Sequence, residues 1–363
     1  MTTYTWLVVL LLLAAFLFHG NKKNSRQFII IAFLLLFAVM GLRDVNAFGS
    51  DSRGSYPILY RDVGAAEWSE LSGKGEKNFN IGFQYLAKLI YGLTNGDYQA
   101  FIAIISLFVV FAYMRFIKKY SSSPVQSVLC FLGLLYYTLL FDALKQAVAM
   151  AILLFAFDAI LEKRPVRFII LVAFASLFHF PALIFLPAYW IGRMKVGRGY
   201  IVLLAVLLLI TYLFRDDILN LMLNAYGSED IEATMEGIQF LRNKVVIMIA
   251  IAVFAAVIKP PASDDTLYNT LMMFAGVAIV LQTFCGYNNI FERLADYYFH
   301  TSIVLIPLIF EKNGKSKMRA IAGIDQRLID TVPLLICAFA VWRFLSTVNY
   351  SSIYMPYRFF WQQ

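Results

Sequence analysis

Long apolar blocks, separated by short polar breaks, fill most of this chain. Their lengths and spacing predict helices over approximately 4–18, 27–42, 98–115, 124–141, 144–161, 166–178, 180–192, 199–214, 244–258, 267–284, 294–310 and 329–346. Composition agrees: of 363 residues, 61% are hydrophobic and 15% charged, and the mean hydropathy is +0.70. A soluble domain would carry about 25% charged residues. The pattern therefore predicts an all-α polytopic integral membrane protein with about 11–12 membrane helices, in one transmembrane domain over 1–363. The start, Met1 to Trp6, has no basic region, so the first segment reads as a retained helix.

Charge fixes the orientation. Short loops holding Lys22/Lys23/Arg26, Arg115/Lys118/Lys119, Lys163/Arg164/Arg167, Arg193/Lys195/Arg198 and Lys312/Lys315/Lys317/Arg319/Arg327 are assigned to the cytoplasm. That threading puts 18 Lys/Arg and 7 Asp/Glu inside, and 13 Lys/Arg and 16 Asp/Glu outside. The net charge of +8 thus reports topology, not nucleic-acid binding. The weakest signal is the loop 259–266, where Lys259 is opposed by Asp264 and Asp265.

The threading requires residues 166–192 to enter and leave on one side. Segments 166–178 and 180–192 are each about 20 Å long as helices, short of a 30 Å hydrocarbon core. They meet at Phe178-His179-Phe180-Pro181, which predicts a short-helix pair with His179 recessed at the turn. The two long connections, 43–97 and 215–243, fall outside, and Asn80 to Leu93 reads as an interfacial helix. Chemically varied loops on a rigid scaffold are where function tends to sit.

Ionisable residues near membrane helices ask for a reason, and three clusters lie toward the outer half. Arg43 closes the second span, followed by Gly49-Ser50-Asp51, Arg53 and Tyr56. Arg43 either snorkels or offers its fork to phosphate oxygens, and Asp51 is either a turn residue or an acid–base group. Asp142, Lys145 and Gln146 stand at i, i+3 and i+4, as an ion pair or as a cavity wall with Lys145 toward an anion. Arg293, Asp296, Tyr297 and His300 form a third stripe, in which His300 reads as packing and Arg293–Asp296 as a structural pair. His179, at a helix break, is the better functional histidine. Cys130, Cys285 and Cys337 lack ligand spacing, so no metal site is indicated.

Several short motifs resemble the EpsG family of exopolysaccharide and O-antigen polymerases, the Wzy type. They are Gly41-Leu42-Arg43, Gly49-Ser50-Asp51 with Tyr56, Asn80-Ile81-Gly82-Phe83, Lys145 to Met150, Ser176 to Leu183, and Glu292-Arg293 before Tyr297-Tyr298-Phe299. The family usually has Arg-Gln where this chain has Lys145-Gln146, which keeps the charge but not bidentate phosphate recognition.

The resemblance implies a GT-C-like, metal-independent membrane glycosyltransferase of the bacterial cytoplasmic (inner) membrane, acting on its outer face without a cofactor. It would transfer a growing glycan from undecaprenyl pyrophosphate to another lipid-linked repeat. On that reading Arg43, Arg53, Lys145 and Arg293 bind pyrophosphate. His179, or failing it Asp51, acts as base, while Tyr56, Gln146, Tyr297 and Tyr298 meet the glycan, with Trp68 as a further stacking group. Expected partners are the lipid-linked oligosaccharide, membrane lipid, a chain-length regulator and a flippase. The alternatives are an O-antigen ligase and a flippase of lipid-linked oligosaccharide.

Overall fold

No water reaches the backbone inside a bilayer, so an apolar run satisfies its N–H and C=O groups by coiling on itself. The computed structural model follows that rule and describes residues 2–18, 22–46, 53–71, 80–197, 199–214, 216–217, 243–257, 265–286, 290–310 and 326–362. Among these the chain is helical, with no strand beyond one isolated bridge. Four helices are long and apolar enough to cross a membrane, within Asn24–Gly41, Tyr98–Tyr120, Leu144–Leu161 and Thr331–Tyr350; a bent pair makes five. Shorter apolar helices occupy most of the remaining predicted spans, and two short pieces cover 294–310. The protein is a multi-pass, all-α membrane protein.

The chain forms two compact units. The first comprises Met1–Ala159, Val166–Leu183 and Asp330–Gln363. It holds α1 (Thr3–Leu17), α2 (Lys22–Gly41), α3 (Ser55–Ala65), α4 (Ile81–Thr94), α5 (Tyr98–Tyr120), α6 (Pro124–Gly133), α7 (Tyr136–Asp142), most of α8 (Leu144–Leu161) and α9 (Pro165–Phe178), and α16 (Gln326–Tyr350). Thr2 caps α1, and the Asp97 carboxylate accepts from the Gln99 and Ala100 amides to start α5. Helix α2 packs between α1 and α5. Within α8, 83% of the residues are buried, against 22% of the Thr331–Tyr350 part of α16, so α8 is the central post and α16 faces outward. The exposed Leu334, Leu335 and Trp342 of α16 suit a lipid-facing surface.

Two readings change here. The segment 124–141 is not one helix: α6 and α7 meet at a 55° bend, with Leu135 in the left-handed region at φ 65°. The bend fits Gly133, where an added Cβ would lie 2.5 Å from Ala340 Cα, so α16 approaches α6 closely and Arg343 donates to the Gly133 carbonyl. The second change concerns Asp142 and Lys145. They do not share a helical face, because Asp142 ends α7 and Lys145 lies just inside α8, with Ala143 at the break.

Connection 43–97 also contains a helix the apolar pattern did not indicate. Helix α3 packs against α4, and Lys88 of α4 donates to the Gly64 carbonyl (3.2 Å) and to that of Ala66 at the end of α3. Helix α4 matches the expected amphipathic segment. Phe83, Ala87 and Ile90 are buried, while Ile81, Tyr85, Leu89 and Leu93, each four residues apart, stay exposed.

The second unit comprises Ile160–Pro165 and Ile184–Ile329. It holds α10 (Ala188–Ile191), α11 (Tyr200–Leu213), α12 (Asn243–Val257), α13 (Thr266–Gln282), α14 (Ile290–Phe299) and α15 (Ser302–Ile309). The predicted helix 180–192 is instead a 3-10 turn over Phe180–Phe185 followed by α10. Pro187 explains this, since it lacks an N–H and would clash with the carbonyl four residues back. The stripe over 294–310 is likewise broken after Phe299. There the His300 ring lies 2.7 Å from the Asp296 carbonyl and Thr301 Oγ1 donates to Tyr298 O (2.9 Å).

Helices α11 and α13 start level. The Val196 amide donates to Asn269 Oδ1 (3.0 Å), Thr270 Oγ1 to Gly192 O (2.6 Å) and the Tyr200 hydroxyl to Met272 O (2.6 Å). Gly276 lies against Tyr200 one turn further on, so both helices leave that end in the same direction. The start of α13 therefore shares the side of the Arg193/Lys195 loop, where the threading puts loop 259–266.

One buried carboxylate outside the three predicted clusters ties the first unit together. Asp158 of α8, with its side chain 1% exposed, bonds to Arg115, to Lys119 Nζ (3.0 Å) and to the Tyr120 hydroxyl (2.5 Å) at the end of α5. Removing the carboxylate takes away three donors' shared acceptor, though Arg115 and Lys119 keep some exposure (29% and 39%). Asp158→Ala is expected to cost about 1–3 kcal/mol, read as a fall in the melting temperature of the purified protein in detergent. Asp158→Asn, which keeps an acceptor, should fall less.

Candidate active site

The centre of the candidate site is Arg43, which follows α2 directly and is completely buried. One end of its fork donates to the Met40 carbonyl in the last turn of α2. The other donates to Phe141 O near the end of α7 (2.8 Å). The guanidinium also stacks over the Phe141 ring at 4.9 Å. Its backbone forms an antiparallel bridge with Phe359, closed by Asp44 N to Arg358 O (2.9 Å) and Phe360 N to Leu42 O (3.0 Å). Burial lowers the Arg43 pKa from its ordinary value, while Tyr98, Tyr4, Tyr357 and Tyr137 act the other way.

Three further side chains bond the carbonyls near the end of α2. Tyr137 donates to Leu36 O (2.7 Å), Tyr357 to Val39 O (2.8 Å) and Gln99 to Gly41 O (3.0 Å). Helix ends leave acceptors open, and a buried end needs donors of this kind. Arg43 thus sits in the interior as a knot joining α2, α7 and the C-terminal tail.

Several other predicted residues belong to the same unit. Tyr98 lies in the field of Arg43, Tyr56 and Asp142. Tyr56, on α3, is buried and its hydroxyl accepts from the Lys145 amide at 3.4 Å. Lys145 is half-buried and Gln146 buried. Arg53 is exposed in the turn before α3. Asp51 lies outside the described residues.

His179 follows the last residue of α9. It is half-buried, its amide donates to Ala175 O (3.1 Å), and its carbonyl accepts from the Ala182 amide (2.9 Å). A single glycine controls how closely this end approaches α4. A Cβ on Gly82 would stand 2.7 Å from Leu177 Cβ and 2.8 Å from the Leu177 carbonyl oxygen. The next residue, Phe83, packs 5.8 Å from Tyr56 between ring centroids. Motif 80–83 therefore joins the Tyr56 wall to the segment that presents His179.

The other predicted residues belong to the second unit. Arg293 is exposed on α14. Tyr297 is fully buried, and Tyr298 donates to Ile184 O (2.6 Å) while packing against Phe185 and Phe274. Both tyrosines thus face protein interior. Asp296 bonds Lys244 Nζ at 2.7 Å, and Glu292 bonds the same amine at 2.9 Å. This pair of acceptors for Lys244 was not anticipated. The roles of Tyr98, Gln99 and Tyr357 were not foreseen either; the aromatic density after the last span was the available signal for Tyr357. Among the described residues no His/Cys/Asp/Glu cluster has the makings of a metal site.

Gly82→Ala is expected to push α4 and the end of α9 apart, costing about 1–3 kcal/mol. Any activity that depends on His179 should fall with it. Gly92→Ala on the same helix is the control, since nothing lies within 4 Å of its added methyl group. Melting curves and activity of both variants check the claim.

The chain was also compared with known proteins. No curated protein and no solved structure matches it. The EpsG family matches residues 26–359, which spans the Arg43 knot, the α4 motif, His179 and Arg293 and reaches the Phe359 bridge. The chain belongs to the EpsG family.

Proposed function

We propose that this protein polymerises lipid-linked glycan repeat units, in the manner of a Wzy-type polysaccharide polymerase. The observation that carries the reading is the family match over residues 26–359, nearly the whole chain. The first unit is consistent with it, since it contains a half-buried imidazole (His179), a half-buried ammonium (Lys145), buried Tyr56 and Gln146, and the buried Arg43.

In this reading the donor is a glycan on undecaprenyl pyrophosphate and the acceptor is a second lipid-linked repeat, both on the extracytoplasmic side. The acceptor hydroxyl attacks the anomeric carbon, the bond to pyrophosphate breaks, and the electron pair leaves with the phosphate oxygen. Negative charge grows on that leaving group, so a fixed cation nearby stabilises the transition state. Lys145 serves this task from the start of α8, with Arg53 of the same unit as a further exposed cation. Arg43, turned inward, holds the wall and adds its field from beneath. His179 takes the proton of the attacking hydroxyl as general base. Tyr56 and Gln146 shape the glycan side. Holding two bulky substrates in one cavity supplies much of the remaining acceleration.

His179→Ala should lower the rate of chain extension on a purified lipid-linked repeat by about 10²–10⁴-fold, with protein level and melting temperature unchanged. Lys145→Gln should lower it less, and Lys145→Arg should preserve it. A full-length ladder from His179→Ala at the wild-type rate would remove the imidazole from the mechanism.

A further inference from the structure

The second unit carries a groove that the proposed polymerisation does not use. It has a volume of about 310 Å³ and runs between α11 and α13, at the lower end of ligand-sized cavities. Leu203, Leu204 and Leu207 form one wall and Met273, Val277 and Val280 the other. Gly276 forms part of the floor beside Tyr200, whose hydroxyl is held by the Met272 carbonyl. From Tyr200 to Leu207 the groove follows the helix axis for about 10 Å. Leu203 and Leu207 are 48% and 40% exposed, so it opens on the face these crossing helices turn to lipid.

One end is chemically different. Ile191 and Met194 close the groove there, and Met194 lies between Arg193 and Lys195, both exposed. Arg193 rests on Tyr189, with its guanidinium 5.3 Å from the ring centroid and one nitrogen donating to the hydroxyl at 3.4 Å. That contact holds a cation beside the mouth. An apolar slot with exposed cations on either side of Met194, which closes one end, complements a lipid with a fatty tail and an anionic head.

We infer that this groove binds an anionic phospholipid of the host bilayer, with an acyl chain along α11 and α13 and the phosphate at Arg193 and Lys195. The cations lie in a loop that the charge pattern assigns to the cytoplasm, opposite the face where the proposed glycan transfer takes place. This separates the site from the carrier's pyrophosphate. Basic pockets between membrane helices on that side are suited to such head groups.

The test uses the full chain purified in detergent, with retained lipid counted by native mass spectrometry. The probes are dioleoyl phosphatidylglycerol and dioleoyl phosphatidylcholine at equal concentration. Two cations at the head group predict about a 30-fold preference for phosphatidylglycerol. Arg193→Gln with Lys195→Gln should bring the ratio close to one, while Leu207→Trp, which fills the slot, should lower retention of both lipids. Equal retention of the two lipids by the wild type overturns the proposal, as does undiminished retention by Leu207→Trp. A polyprenyl phosphate that displaces phosphatidylglycerol at equal concentration would reassign the groove and overturn it too.

Discussion

Everything assembled around the candidate site depends on one buried cation. Arg43 leaves the end of α2 with no exposure to solvent, and its fork reaches backbone carbonyls on α2 and α7. A charged group in so dry a place needs polar partners, and both terminal nitrogens of the fork have one. Those carbonyls come from helix ends, which need donors themselves, so each deficit removes the other. Hydrogen bonds to a charged group contribute about 1.5–3 kcal/mol each, enough to fix where α2 stops and α7 arrives. The same residue pairs by its backbone with Phe359, which brings the C-terminal tail against the end of α2.

The consequence for function is a division of labour among the cations. Arg43 is buried and bonded to backbone carbonyls, whereas Lys145 is half-buried and Arg53 exposed. A polymerase that neutralises a departing pyrophosphate needs cations that reach the substrate and a frame that keeps them from collapsing onto one another. The knot supplies the frame. Gly82 supplies a second constraint, since only a residue without a side chain lets Leu177 approach so closely. His179 inherits its position from that contact and from the helix end at Phe178.

Much of the fold was legible in the sequence, and the reasons are physical. Runs such as 144–161 and 98–115 are apolar over the length a membrane helix needs, and they appear as α8 and within α5. The failures fall where the deciding interaction is tertiary. The bend between α6 and α7 reflects the approach of Ala340 to Gly133, which no local pattern records. The split of the segment after His179 was legible in principle, because Pro187 forbids a continuous helix. Of the candidate site, Arg43, Tyr56, Lys145, Gln146 and His179 were singled out from residue type, position and the family resemblance, and all five fall in one unit. Their burial was not legible. A membrane-edge arginine reads alike whether it snorkels, binds phosphate or caps a helix, and only the carbonyls of Met40 and Phe141 decide. Tyr297 and Tyr298 illustrate the converse, since polar aromatics near a helix end looked available and are interior.

The central claim is that this chain forms glycosidic bonds at the expense of the bond between a glycan and its lipid pyrophosphate carrier. The most direct measurement incubates the purified protein in vesicles with one lipid-linked repeat unit and follows glycan length and free undecaprenyl pyrophosphate together. The account predicts a ladder of lengthened glycans with one carrier pyrophosphate released for every bond formed. Movement of the intact lipid-linked repeat across the bilayer, with neither ladder nor released pyrophosphate, would contradict it.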